Sequence, residues 1–123
     1  IFDRRTNVFM GWVDFYIFDR GHAQAANLGY VLLNSFRRSG YGSEAVSAAI
    51  KVGFRDLKLQ RLEASIIPTN IPSQRLAAKV GLRFECRRRR CDWEQGRWQD
   101  NLVYSGTPED FGFKTRPPRL PSL

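Results

Sequence analysis

The stretch VFMGWVDFYIF, residues 8–18, crowds β-branched and aromatic side chains together and predicts a first strand, followed by the turn-prone loop DRGHAQAAN. LGYVLLNSF, residues 28–36, is more continuously apolar, as a central strand buried on both faces must be. These two strands are expected to pair antiparallel. From Ser43 the apolar period lengthens: Val46, Ile50, Phe54 and Leu57 share one helical face with Ala45, Ala49 and Gly53, which predicts a helix of about four turns. RLEASII, residues 61–67, alternates Leu62, Ala64 and Ile66 against Glu63 and Ser65 and returns the chain to a strand. A strand–helix–strand unit predicts a parallel pair with a right-handed crossover. Asn70 then reads as an N-cap, with Pro72 in the first turn, Leu76, Ala77 and Val80 facing inward, and Gly81 at the stop of a short second helix. LRFECRRRR (82–90) and RWQDNLVYS (97–105) flank CDWEQG, whose Gln95-Gly96 suits a tight connection, so a C-terminal hairpin is expected.

The pattern is α+β: a mixed, mostly antiparallel sheet with one parallel pair and flanking helices. It contains neither an internal repeat nor a second domain, so a single domain is expected over residues 1–113. The basic, Pro-rich remainder, 114–123, reads as an extended or disordered tail. A chain of 123 residues supports one modest core. With 42% hydrophobic residues and no apolar stretch near the ~20 residues that span a bilayer, a soluble protein without membrane contact is expected.

Charge and cysteines narrow the chemistry. Twenty Lys and Arg against twelve acidic residues leave a net charge of +8, so polyanions are attracted: nucleic acid, acidic protein surfaces or a phosphate-bearing cofactor. Cys86 and Cys91 lie an odd number of residues apart, which on one strand points them to opposite faces, and His22 is the only histidine. No four-ligand zinc set follows from Cys and His, no metal is expected, and two free thiols fit a reducing cytoplasm.

Between the buried strand and the long helix lies Arg37-Arg38-Ser39-Gly40-Tyr41-Gly42. A helix start carries unpaired N–H groups and partial positive charge, glycines let the backbone close on an anion, and two arginines add charge-assisted hydrogen bonds. A di-anion such as pyrophosphate is the natural guest. A nucleoside triphosphate calls for a GK[ST] ending that this loop lacks. A dinucleotide fits better locally, since Gly40 to Ala45 reads G-x-G-x-x-A with Glu63 roughly 20 residues on. That fold needs several consecutive βα units, however, whereas this chain ends in a hairpin.

Arg37-x-x-Gly40-x-Gly42 resembles the R/Q-x-x-G-x-G/A signature of the GCN5-related N-acetyltransferases, a family that binds acetyl-coenzyme A. LGYVLL before the loop, RLEASIIPTNIPSQRLAAKVGLRFE after it and GRWQDNLVYS at the end follow in the family's order, over roughly residues 5 to 106. The combination looks most like the Rim-type branch, which includes acetyltransferases of ribosomal-protein N termini. The resemblance implies that Arg37, Arg38, Ser39, Gly40, Tyr41, Gly42 and Ser43 cradle the coenzyme pyrophosphate. Tyr30, Val31, Leu32 and Leu33 would bind the pantetheine arm through their backbone, on a strand splayed from RLEASII, and the Asn70-x-x-Ser73 helix start would complete the cofactor site. It implies acetyl transfer to a primary amine, a peptide or protein N terminus or a small amine, by direct attack. Many members place a Tyr seven residues after the helix-start Asn, where this chain has Ala77. Ser73 stands where the Rim-type branch has Ser and is the candidate acid; Glu63 is the candidate base, acting through water, with Asp14 and Asp100 behind it. Tyr104 matches an aromatic position near the acyl site, or else simply packs in the sheet.

The family fold normally begins with a strand and two helices that wall the acceptor site, and nothing ahead of Val8 supplies them. The expectation is a truncated chain, or a homo-oligomer, such as a dimer, that completes the site. Arg87-Arg88-Arg89-Arg90, with two arginines per face of a regular strand and Trp93 and Trp98 nearby, raises the opposing reading of a nucleic-acid or acidic-partner surface. The other alternative is a coenzyme A binder without turnover.

Overall fold

The computed structural model describes residues 1–33 and 40–118. Among the described residues five strands form one mixed sheet: β1 (Gly11–Asp19), β2 (Ala25–Leu32), β3 (Arg61–Ile66), β4 (Arg83–Glu94) and β5 (Arg97–Gly106), in the spatial order β1-β2-β3-β5-β4. Only β2 and β3 run parallel; the other neighbouring pairs are antiparallel. Helix α1 (Tyr41–Lys51) continues into a π-helical turn, Val52–Asp56, and α2 is Ile71–Lys79. No described helix is long and apolar enough to cross a membrane.

The predicted helical stripe meets the predicted strand alternation in the core. Val46, Ile50 and Phe54 of α1 and its π-helical turn, with Ala77 of α2, cover Ala26 and Leu28 of β2 and Leu62, Ala64 and Ile66 of β3. Fully buried side chains such as Ile50 and Leu62 each contribute on the order of 1.5–3 kcal/mol, so this layer holds both helices to one face of the sheet. The other face carries no helix among the described residues. A short 3-10 helix, Pro108–Phe111, follows β5, and Phe111 and Phe113 bring their rings to 5.6 and 6.3 Å from that of Phe54.

Several boundaries differ from the sequence expectation. The loop expected over 19–27 is shorter, because β2 begins at Ala25, three residues before the apolar run. Ala25 and Ala26 are poor strand formers alone, but they are fully buried against Arg61 and Leu62 of the parallel neighbour, and that pairing extends the strand. Residues 34–36, expected to continue it, lie outside the described residues. Helix α1 starts at Tyr41, two residues ahead of Ser43.

The hairpin is also longer than expected. CDWE belongs to β4, leaving Gln95-Gly96 as a two-residue turn with φ of +51° and +73°, the pair of positive values that a type I′ hairpin requires. The reading of two arginines per face is corrected by bulges in β4. Arg88 opposes Asn101 and Asp92 opposes Gln99, so residues 89–91 together face Asp100. Its carboxylate accepts the Arg90 backbone N–H at 2.9 Å and Arg87 Nε at 2.8 Å. Those bonds, the backbone one first, hold Asp100 below the usual carboxylate range. Cys86 and Cys91 are both free thiols. The tail has no regular secondary structure over 114–118, where Arg116 N–H donates to Gln60 Oε1 at 3.1 Å.

On the helix-free face the Arg61 guanidinium ties β3 to β4, and the Glu85 carboxylate extends the link to β5. Arg61 donates to Glu85 at 2.8 and 2.6 Å and to Glu63 at 2.7 Å, and Ser105 Oγ donates to Glu85 at 3.0 Å. The Arg61 hydrogen bonds, more than any other cause, pull Glu85 down to about 2.

Two outcomes follow. Glu85 binds its proton more weakly folded than unfolded, so its stabilisation is present above pH ~4.5 and is lost as the pH falls toward ~2. Urea midpoints of wild type and Glu85→Gln should differ modestly at pH 7, because the pair is exposed, and converge as the pH drops through that window. A Cβ on Gly106 would stand 2.8 Å from Phe111 and 3.0 Å from Leu82. Gly106→Ala should therefore cost about 1–3 kcal/mol in urea unfolding, whereas an unchanged midpoint would mean that this corner is loose.

Candidate functional site

The site starts where the parallel pair ends. β2 and β3 share three rungs, Ala25–Arg61, Ala26–Leu62 and Asn27–Glu63, and then part. Each strand goes on with its own antiparallel partner: β2 with β1 as far as Leu32 opposite Gly11, and β3 with β5 as far as Ile66 opposite Leu102. Beyond Asn27 the facing backbone edges of β2 and β3 are free of ladder bonds to each other. A fork of that kind offers main-chain donors and acceptors to an extended ligand arm, as a sheet edge does to an added strand.

On the helix side the fork opens into a cleft of about 890 Å³. Tyr30, Val31 and Leu32 form one wall, Gly40, Gly42 and Ser43 at the start of α1 a second, and Asn70 and Ser73 at the start of α2 a third. Two helix N-termini thus open onto one cavity, and their partial positive charges add. Gly40 is the N-cap of α1 at φ +87°, a left-handed value suited to glycine, and among the described residues no side chain caps that end. Gly42 matters for space: a Cβ there would fit at 3.5 Å from Leu76, and anything larger would enter the cleft. Asn70 Oδ1 accepts the Ser73 backbone N–H at 3.2 Å, which is the predicted cap. Tyr30 Oη donates to the Ser73 carbonyl at 3.1 Å and ties α2 to β2. Burial pushes the Tyr30 phenol up, so it remains a donor. The Ser73 hydroxyl makes no hydrogen bond among the described residues and is free to serve a ligand.

The cleft also exposes two cations that the sequence reading passed over. Arg75 and Lys79 line it, four residues apart on α2. The available signal was their i, i+4 spacing beside Leu76 and Val80, which sets both on the helix flank next to the buried one. Neither is in an ion pair with a described residue.

Other expected residues lie elsewhere. Arg37, Arg38 and Ser39 fall outside the described residues. Leu33 and Tyr41 adjoin the cleft without lining it; Leu33 N–H bonds the Met10 carbonyl at 2.8 Å. Glu63 stands at the fork but points to the helix-free face, buried at 6% exposure and paired with Arg61 at 2.7 Å and Arg88 at 3.5 Å. Asp100 belongs to the hairpin bulge. Tyr104 packs edge-on against Phe84 at 5.7 Å and against the core. Of the arginine run, Arg87 and Arg88 are paired with Asp100 and Glu63, while Arg89 and Arg90 have no ion pair among the described residues. A smaller recess of about 520 Å³ beside Arg20, Lys58 and Arg116 contains none of the expected residues.

Comparison with known proteins agrees with this geometry. The family model described as an acetyltransferase (GNAT) domain matches residues 1–83. The uncharacterized N-acetyltransferase YnaD of Bacillus subtilis is 31% identical over 88% of this chain and 62% of its own length. The [ribosomal protein uS5]-alanine N-acetyltransferase of Escherichia coli is 28% identical over 90% of this chain and 57% of its own length. The chain thus spans about three-fifths of the length of the curated relatives it matches. Among solved structures, the GNAT-family acetyltransferase of Bacillus anthracis superposes with a TM-score of 0.81 at 30% identity, over 88% of this chain and 64% of that one. Mycobacterium smegmatis RimJ in complex with CoA-disulfide gives 0.80 at 29% identity, over 85% and 50%. Fork, twin helix starts and family model agree: the chain belongs to the GNAT acetyltransferase family, with relatives of the Rim type.

Proposed function

We propose that the chain binds acetyl-coenzyme A in the cleft and serves its transfer to a primary amine. The observation that carries this reading is the convergence of the α1 and α2 N-termini with Arg75 and Lys79 on a cavity continuous with the fork. Such a place suits a ligand that has phosphates at one end and an extended amide arm at the other. When bound, acetyl-coenzyme A supplies an acetyl group activated as a thioester. The α1 start, with Gly40, Gly42 and Ser43, receives the pyrophosphate, and Arg75 and Lys79 add charge-assisted contacts to phosphate oxygens. Backbone groups of Tyr30, Val31 and Leu32 take the pantetheine arm, and a backbone N–H at the fork faces the carbonyl oxygen, where negative charge develops during attack.

Two protons leave the acceptor nitrogen: an ammonium first releases one to solvent water, and the neutral amine then attacks, losing its second proton as the departing sulfur gains one. Ser73 is the candidate to relay a proton toward sulfur, a reading supported by its backbone N–H being capped by Asn70 while its hydroxyl is unbonded among the described residues. Glu63 faces the opposite side of the sheet, where its carboxylate is already bonded to Arg61 and Arg88, so it meets the fork through water. The relatives' names make a protein N terminus the preferred acceptor class. A second subunit completing the acceptor side, and a reducing cytoplasm that keeps Cys86 and Cys91 as thiols, belong to the same reading.

Calorimetric titration with acetyl-coenzyme A tests it. Wild type should bind saturably, and Gly42→Trp should lose at least about tenfold in affinity, ~1.4 kcal/mol, by filling the cleft. Lys79→Glu should weaken binding by about ten- to a hundredfold, as loss of a charge-assisted contact requires. No binding by wild type would defeat the reading and shift attention to the basic hairpin. In a free-thiol release assay, Ser73→Ala should slow turnover by about a hundredfold with coenzyme affinity nearly unchanged; equal rates would remove Ser73 from the chemistry.

A further inference from the structure

The fork has a second mouth, on the sheet face without helices, and two carboxylates stand at it. Glu63 is neutralised by Arg61 and Arg88. Asp14 is not: it is exposed, and it has no hydrogen bond or ion pair among the described residues. Its position is set by a glycine. Asp14 lies opposite Gly29 in the β1–β2 ladder, and its Oδ1 occupies the space where a Gly29 side chain would stand, 2.5 Å from a Cβ built there. The carboxylate therefore leans over β2 toward the fork.

Two further features surround it. Trp12 and Tyr16 flank Asp14 at i−2 and i+2, on the same face by strand alternation, with exposures of 46% and 70%. Two rungs from Gly29 and on the same face, at the last shared step of the fork, Asn27 Oδ1 is shut from water and has no hydrogen-bond partner among the described residues. A buried acceptor left unmet is destabilising, and a donor brought by a ligand would relieve it.

A bare carboxylate, an unmet amide oxygen and two exposed aromatic rings, Trp12 offering what its stack on Phe9 at 6.4 Å leaves open, share one requirement, a cation that carries N–H donors. The geometry points to Asp14 as the anchor for the ammonium form of the acceptor, held between Trp12 and Tyr16 on the face opposite the coenzyme cleft. In a chain of net charge +8 this carboxylate is what lets a cationic acceptor approach. Asp14 is a specificity-determining residue here and not the base: it binds the ammonium, which passes its proton to solvent water before the neutral amine attacks. This assignment rests on the proposed acetyl-transfer reading and adds to it the residue that selects the charged amine over a neutral or acylated one.

The test is a binding measurement, run with and without saturating coenzyme A. The probes are a hexapeptide with a free N-terminal alanine and the same peptide N-acetylated. Wild type should prefer the free amine by about tenfold or more, as one charge-assisted contact implies. Asp14→Asn should erase the preference and leave coenzyme affinity unchanged. Gly29→Ala, which displaces the carboxylate without removing it, should do the same. If both peptides bind alike to wild type, bind to neither condition, or keep their difference in Asp14→Asn, the assignment is overturned. Failure of the acetyl-transfer reading would appear separately, as loss of coenzyme A binding in every variant.

Discussion

Everything around the site depends on β2 and β3 being neighbours that do not stay together. A parallel pair is somewhat weaker per residue than an antiparallel one, and each of these strands has an antiparallel partner on its other side. Strand twist carries β2 away with β1 and β3 away with β5, so three parallel rungs are as many as the sheet keeps. The buried layer under the fork makes the separation tolerable. Leu28 of β2 and Ala64 and Ile66 of β3 still pack on α1, so the helix bridges a gap that backbone hydrogen bonds do not.

That arrangement brings two helix starts to one place. α1 leaves the fork region after β2, and α2 begins just beyond β3, so both present their N-termini near the parting strands. The Tyr30–Ser73 hydrogen bond ties the second helix start to the first wall of the cleft. Cation placement follows: Arg75 and Lys79 gain their meaning from where α2 sits.

The opposite face works by charge bookkeeping. Arg61, Glu63, Glu85, Arg88 and Ser105 form a nearly self-compensated cluster that joins β3, β5 and β4. Its exposed members are worth little individually. Its effect at the fork is to neutralise Glu63 and leave Asp14 as the carboxylate there without a counter-charge. A residue that looks like a base in the sequence is thereby turned to structural use, and the neighbour ranked behind it stands open to solvent.

Local pattern determined much of this protein. The 3.6-residue stripe of α1, the alternation of β3, the Asn70 cap, the Gly81 stop and the Gln95-Gly96 turn are short-range preferences that hold before any tertiary contact forms. The glycine loop before α1 likewise announced an anion site, because backbone freedom and a helix start are written in adjacent residues. What only the tertiary structure decided involved residues distant along the chain. Ala25 and Ala26 became strand because Arg61 and Leu62 lay beside them. The arginine run lost its simple alternation because bulges let residues 89–91 share Asp100. Glu63 was spent on Arg61 and Arg88, and Arg75 and Lys79 joined the cleft. Periodicity can say which face of an element is apolar, but which charge meets which depends on strands brought together across 13 to 25 residues, and no local pattern records that.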